Sequence, residues 1–265
     1  MSLDPGDCIL VFAHPDDEVL WASALLARAR AVILCFGDMH KPAVSEGRRR
    51  ALAAYPLPNV ESLAIPEAGV FERAAWPDPP PAPDGLALRA DLPAQEADRP
   101  RRYGANFARL TELLRPRLTG ARTVVTHNPW GEYGHEEHVQ LFRAVEALQR
   151  ELGFALWVTG YVSEKSESLM ARSIPHLQAE SVVLPTDPDL GARLQTLYTE
   201  TGCWTWYDDY AWPATESFHR WSPAPQPARP GATLALTRIW LGWTPKRRSS
   251  RLRRLARRLF PRRPG

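Results

Sequence analysis

The chain has 265 residues, 44% hydrophobic and 24% charged, with a formal net charge of +3, ordinary values for one soluble globular domain with a generous core. Cys8, Cys35 and Cys203 are too few and too widely spaced for a disulfide framework, and the first two sit in apolar runs as small buried hydrophobes. Met1–Asp7 lacks the basic flank and apolar run of a secretory signal, and no stretch approaches the ~20 apolar residues of a membrane span, so the expected location is cytoplasmic.

In chain order, the apolar run Cys8–Phe12 reads as a short buried strand, and Val19–Leu26 continues as a helix. Between them stand His14, Pro15, Asp16, Asp17 and Glu18. Pro15 disfavours helical backbone angles at His14, so the chain turns there. An imidazole and three carboxylates therefore lie at the carboxyl end of a first strand, where open α/β sheets place their ligand sites. A helix cap explains one acid. Burying the others and the histidine unpartnered would be costly, which implies a metal or a polar substrate. Ala31–Phe36 is a second strand of the kind buried on both faces, a basic helix opens at Ser45-Glu46, and Val60–Ile65 reads as a third strand. Residues 72–105, which include Trp76-Pro77-Asp78-Pro79-Pro80-Pro81, lack a sustained period. They read as a long loop, either a lid over substrate or a plain excursion.

Phe107, Leu110, Leu113 and Leu114 mark a helix that leads to a β-branched strand at Arg122–Thr126. That strand runs through His127-Asn128-Pro129-Trp130-Gly131-Glu132-Tyr133-Gly134 into His135-Glu136-Glu137-His138, the start of a helix that reaches about Leu152. His135 and His138 are three apart and share one face of its first turn. A catalytic zinc ion takes about three N or O ligands and keeps a position open for water. His14, Asp17 and one of His135 and His138 could supply that set from two adjacent strand ends. Two histidines and a carboxylate also suit non-haem iron, although such sites usually sit on barrels of strands. Leu156–Val162 reads as a fifth strand. Strands alternating with helices predict βαβ units, and hence a single α/β domain with a Rossmann-like, mainly parallel sheet flanked by helices.

The run Ala13-His14-Pro15-Asp16-Asp17-Glu18, together with Gly134-His135-Glu136-Glu137-His138, resembles the two signature motifs of the PIG-L/LmbE-like family of zinc-dependent N-acetylglucosaminyl deacetylases. The first matches that family's AHPDDE at every position, and the second matches its GH-x-x-H in order and in distance from the first. With the strand–helix alternation, the resemblance covers roughly residues 8–220. It implies that His14, Asp17 and His138 bind Zn2+, that Asp16 is the general base, and that His135 assists at the carbonyl oxygen. It also implies that Tyr133 helps to stabilise the transition state. Family members often carry Pro-Asp where this chain has Glu136-Glu137, which leaves the acid partner of His135 unassigned.

The implied activity is hydrolysis of an N-acetyl or other N-acyl group on an amino-sugar substrate or glycoconjugate, releasing acetate and a free amine. Zinc lowers the pKa of bound water to about 7, Asp16 can take its proton and return it to the amine, and a protonated His135 or the zinc can hold the oxyanion. Glu18 reads as a supporting charge at the helix start. One rival is an amidase of the same fold acting on a sugar conjugate or secondary metabolite. The other is a non-catalytic carbohydrate- or nucleic-acid-binding protein; Asp16 counts against it, since a structural zinc site would be closed and often Cys-rich.

Cys203–Trp212 is dense in aromatics, suited either to stacking on sugar rings or to packing over the sheet, and Glu216-Ser217-Phe218 resembles a short Glu-x-Phe element near the end of the family domain. His40, His127, His176 and His219 lack a partner at ligand spacing; His127 is the one best placed to support the second motif.

From Lys246 to Gly265 the chain carries ten basic residues and no acid. Removing those ten from the 33 basic residues leaves 23 against 30 acids, so residues 1–245 carry a net −7. The expected organisation is a deacetylase domain over residues 1–235 and a basic amphipathic tail over 236–265. Leu252, Leu255, Leu259 and Phe260 fall at intervals of three and four among the arginines, as in a helix lying at a membrane interface. Anionic lipid attracts each nearby Lys or Arg by ~1 kcal/mol, and Trp240 and Trp243 suit the headgroup level. The tail's expected partner is an anionic membrane surface, with a lipid-linked saccharide as the natural substrate and no specific nucleic acid. The alternatives are a solvated disordered tail and non-specific nucleic-acid binding.

Overall fold

A computed structural model describes residues 3–227 and 233–242. In strand β1 (Cys8–Phe12) successive side chains enter two different cores: Cys8, Leu10 and Phe12 pack on one face, Ile9 and Val11 on the other. This is the behaviour of a strand covered on both sides. Helix α1 (Asp17–Leu26), β2 (Ala31–Asp38), α2 (Pro42–Ala53) and β3 (Val60–Pro66) follow. Next come a hairpin of β4 (Pro81–Ala82) and β5 (Gly85–Leu86), helix α3 (Arg99–Leu118), β6 (Thr123–Thr126), α4 (Glu136–Leu152), β7 (Ala155–Thr159) and β8 (Tyr161–Ser163). Helix α5 (Glu167–Ser173), β9 (Leu177–Pro185), α6 (Pro188–Glu200), β10 (Thr215–Trp221) and β11 (Thr237–Ile239) complete the described chain.

The central sheet has seven strands in the order β3-β2-β1-β6-β7-β10-β9. The first five are parallel, and β10 and β9 join antiparallel at one edge. The expected Rossmann-like, mainly parallel α/β sheet is borne out. Side chains of α3, α4 and α5 build one core, and those of α1, α2 and α6 build the other. Connections from β1 and β6 diverge, β1 leading to β2 and β6 to β7. Their carboxyl ends therefore flank the point where strand order reverses, and a crevice opens there. The register Val11↔Thr126 brings the loops after the two strands side by side.

Several elements differ from the sequence expectation for physical reasons. The fifth strand breaks at Gly160, where a Cβ would lie 2.0 Å from Oγ of Ser217. The backbone there leaves β10 to pair β8 with β11 in parallel. The pairing lays the first residues of the expected tail, Thr237–Ile239, onto the domain. The basic helix starts at Pro42 rather than Ser45, because proline suits a first helical turn. Residues 72–105 are largely ordered by local structure: the β4–β5 hairpin, an isolated bridge between Ala74 and Leu88, and the first turns of α3. The edge strand β9 and its neighbour β10 are not among the strands read from the sequence.

Helix α1 is interrupted at Ala22 (φ −150°, ψ 31°). The buried Glu216 of β10 accepts hydrogen bonds there from Ser23 Oγ (3.1 Å), the Ala24 amide (2.9 Å) and Tyr161 Oη (3.0 Å). Among the described residues no helix is long and apolar enough to cross a membrane. The amphipathic segment expected over residues 246–260, and Trp243, lie outside the described residues.

Candidate active site

The loop after β1 folds around its own acids. Oδ2 of Asp17 accepts the His14 amide at 2.7 Å, and Oε2 of Glu18 accepts the Asp16 amide at 3.0 Å. Carboxylates at a helix start also face its positive end. Asp16 adopts φ 108°, a strained value for a non-glycine residue, and its Oδ2 accepts the backbone amide (3.2 Å) and hydroxyl (2.6 Å) of Thr205. Burial, then the neighbouring Asp17, pushes the Asp16 carboxyl up to about 7, against the hydrogen bond from Thr205. Glu18 is wholly buried and accepts both Tyr55 Oη and Tyr198 Oη at 2.7 Å. It is a brace for the Asp16 backbone and does not line the cavity.

The loop after β6 supplies imidazoles. Gly131 has φ 66°, and a Cβ there would meet the His135 carbonyl at 2.6 Å, so only glycine permits this tight turn. The turn buries Glu132, whose Oε2 receives Nδ1 of His127 (2.9 Å) and Nδ1 of His138 (2.8 Å). Its Oε1 receives the Asn128 amide and the Thr159 hydroxyl. Burial alone would raise the Glu132 carboxyl, but His127 and His138 outweigh it and hold it down at about 2. Nε2 of His127 accepts the Ala13 amide at 3.0 Å. Both nitrogens of His127 are thus committed, and its ring stacks on His138 with centroids 3.8 Å apart.

The six residues singled out in the sequence come together. Nδ1 of His14 lies 3.1 Å, and Nε2 of His138 3.2 Å, from the same Oδ2 of Asp17. Nε2 of His138 is buried and has no hydrogen-bond partner among the described residues. Nε2 of His14 meets Oε2 of Glu137 at 3.2 Å. His14, His135 and His138 also group within ligand distance of one another. Burial would depress His14 and His138, but hydrogen bonds donated to Asp17 and Glu137 carry His14 up to about 10, and the charges of Asp17 and Glu132 carry His138 up to about 9. In turn His138, with His127 and His14, holds Asp17 well below the usual range despite its burial.

His135 caps α4, its Nδ1 accepting the Glu137 amide at 3.2 Å. Burial, with His138 and His14 beside it, holds its pKa well below 6.5, and with Nδ1 accepting the Glu137 amide the neutral ring carries its proton on Nε2. Tyr133 stands on the cavity wall, edge-on to His138 and tilted against Trp206.

These groups open into a cavity of about 770 Å³. Phe71, Glu72 and Arg73 line it at the start of the 72–105 segment, and Trp206 and Tyr207 line it from the aromatic segment. Glu136 explains why the former is held in place. Its carboxylate accepts the amides of Glu72 (3.1 Å) and Ala74 (2.7 Å) and the indole of Trp76 (3.0 Å). Sequence reasoning missed Glu132, Thr205, Glu67 and Arg48. Arg48 is buried in the cavity wall, donates to Glu67 at 2.6 Å, and keeps an unpartnered Nε. Glu132, inside the second motif's turn, had a signal; Thr205, 189 residues from Asp16, had none.

No family model matches the chain. It is 31% identical over 150 residues to the bovine N-acetylglucosaminyl-phosphatidylinositol de-N-acetylase, a match covering 54% of this chain and 50% of that protein. That similarity bears out the resemblance to the PIG-L/LmbE-like family. The chain spans about half the length of this curated relative. Two solved structures share the fold at low identity. A deacetylase–teicoplanin complex is 15% identical with a TM-score of 0.50, covering 80% of this chain and 97% of that one. The zinc-inhibited form of teicoplanin deacetylase Orf2 is 16% identical with a TM-score of 0.51, covering 82% of this chain and 100% of that one.

Proposed function

We propose that the chain is a zinc-dependent hydrolase that removes an N-acetyl or other N-acyl group from an amino-sugar substrate, yielding acetate and a free amine. The observation that carries this reading is the approach of His14 Nδ1 and the unpartnered His138 Nε2 to one Asp17 oxygen, beside a raised Asp16 carboxyl. Two imidazoles and a carboxylate fit a hydrolytic zinc site with one open position. His14 would offer Nδ1, because Nε2 is engaged by Glu137, and His138 would offer Nε2, because Nδ1 is engaged by Glu132. The protons that the lone carboxylates hold on these rings would leave as a cation binds.

A bound divalent cation supplies a Lewis acid and makes a water ionisable near neutral pH. Asp16, held by Thr205 and near pKa 7, accepts that water's proton and delivers it to the amine nitrogen as the C–N bond breaks. His135 donates its Nε2–H to the acyl oxygen as negative charge builds there, its tautomer held by the Glu137 amide. Tyr133 adds a phenol to the same wall. Trp206, Tyr207 and Phe71 offer faces to a sugar ring. The bovine relative's named substrate makes a lipid-linked N-acetylglucosamine conjugate the first candidate. A hydrolase domain over residues 1–235, extended by β11, and a tail that visits an anionic membrane remain part of this proposal.

The test is acetate release from free, nucleotide-linked and lipid-linked N-acetylated amino sugars by zinc-loaded protein. Activity should vanish on chelation and return with zinc. No acetate from any of the three by fully metallated protein would overturn the reading.

A further inference from the structure

Among the described residues, Phe71 (43% exposed), Ile174, Val183, Tyr207 (50%) and Trp240 (70%) are the exposed large hydrophobic side chains. Phe71 and Tyr207 line the cavity, and Trp240 immediately precedes Leu241, which lines it too. Two of the five therefore line one opening and a third is next in the chain to a lining residue, although they come from segments far apart in sequence. Sugar binding inside the cavity does not call for a tryptophan standing in water outside it. Such a patch marks an interaction surface.

The path of the chain adds a second observation. Strand β11 is fixed beside β8, the Leu241 amide donates to the Glu164 carboxylate at 3.0 Å, and Arg238 pairs with Glu167. The described chain therefore ends at the cavity mouth. From Gly242 to Lys246 is four residues, at most about 14 Å, and from there ten cations follow without an acid. The remainder carries net −7 and is repelled by an anionic surface. Only the side from which the tail departs can approach one. Glu72 lines the cavity, and Asp208 and Asp209 follow Tyr207 in the chain, so the aromatics alone would not suffice; a basic segment plus a few apolar anchors is the usual two-signal arrangement.

We propose that the cavity mouth, lined by Phe71, Tyr207 and Leu241 and flanked in the chain by the exposed Trp240, is a docking surface for an anionic phospholipid bilayer, with the tail from Lys246 pulling that face down. Trp240, with Arg238 packed over its ring at 4.3 Å, sits at headgroup depth, and the cavity opens toward the lipid. This surface does not depend on the hydrolytic reading: a protein that deacetylates nothing can still dock, and an active one can fail to.

The full chain, bearing an environment-sensitive fluorophore at Trp240→Cys, tests the orientation. The three native cysteines are buried. The control is a second label at Arg122→Cys, a largely exposed position at the amino end of β6, across the sheet from the cavity. Mixed phosphatidylcholine–phosphatidylserine vesicles should blue-shift the Trp240 label alone and sediment the protein several-fold more than pure phosphatidylcholine does, with loss at high salt. No shift at Trp240, equal shifts at both labels, or binding of single-stranded nucleic acid with none to vesicles would each overturn the proposal.

Discussion

At the floor of the cavity Asp17, His127, Glu132 and His138 are sealed from water, and nearly every polar atom meets a partner supplied by the two strand-end loops. At the rim Phe71 and Tyr207 stand half exposed, in segments that carry neither motif. The floor holds its groups in one protonation pattern and one geometry, which chemistry on an amide requires. The rim offers aromatic area beside these partly exposed positions, which suits binding a bulky group without committing to its details. On the proposed function, reaction type would be decided below and substrate choice above.

Substitutions at the floor should therefore be severe and those at the rim mild. The largest effect is expected for His138→Ala, which removes the unpartnered Nε2: bound zinc should fall to near zero by elemental analysis, with activity at background. Full metal occupancy in that variant would remove His138 from the ligand set. Asp16→Asn keeps shape but cannot accept a proton, so kcat should drop by ~10²–10⁴ with zinc retained; equal loss of zinc would make Asp16 a ligand instead.

Glu216 lies between the two regions, bracing the broken helix α1. Burial pushes its carboxyl up to about 7, partly offset by the donated hydrogen bonds. A carboxyl raised on folding binds more protons folded than unfolded between about 4.5 and 7, so its contribution is greatest below that window and declines as pH rises through it. Thermal denaturation of wild type against Glu216→Gln should show the wild-type advantage shrinking from pH 5 to pH 8, by up to roughly 3 kcal/mol. A pH-independent difference would refute the raised value.

Glu132→Gln should weaken zinc binding by ~10–100-fold, as loss of a carboxylate behind a ligating imidazole does, measured by competition with a chelator; unchanged affinity would leave Glu132 a purely structural acid. The smallest change is expected at the rim. Tyr207→Ala should raise KM less than tenfold and leave kcat unchanged, since half-exposed aromatic contact binds ground and transition states alike. A fall in kcat there would break the division between floor and rim.

The sequence by itself determined the parallel core and the two loops that meet over it. Apolar runs such as Cys8–Phe12 can only be buried on both faces, and His14, Asp16, Asp17, His135 and His138 follow strands whose carboxyl ends become neighbours once β1 pairs with β6. Tertiary structure alone decided the rest. Thr205 reaches Asp16 across 189 positions, Glu136 finds its donors 60 to 64 residues away, and β11 turns back to β8. No local period encodes such partners, because a single hydrogen bond leaves no pattern in the chain and is fixed only when packing brings both ends together. Even the protonation of His135 was decided there, by burial beside two other imidazoles that its own segment does not contain in full.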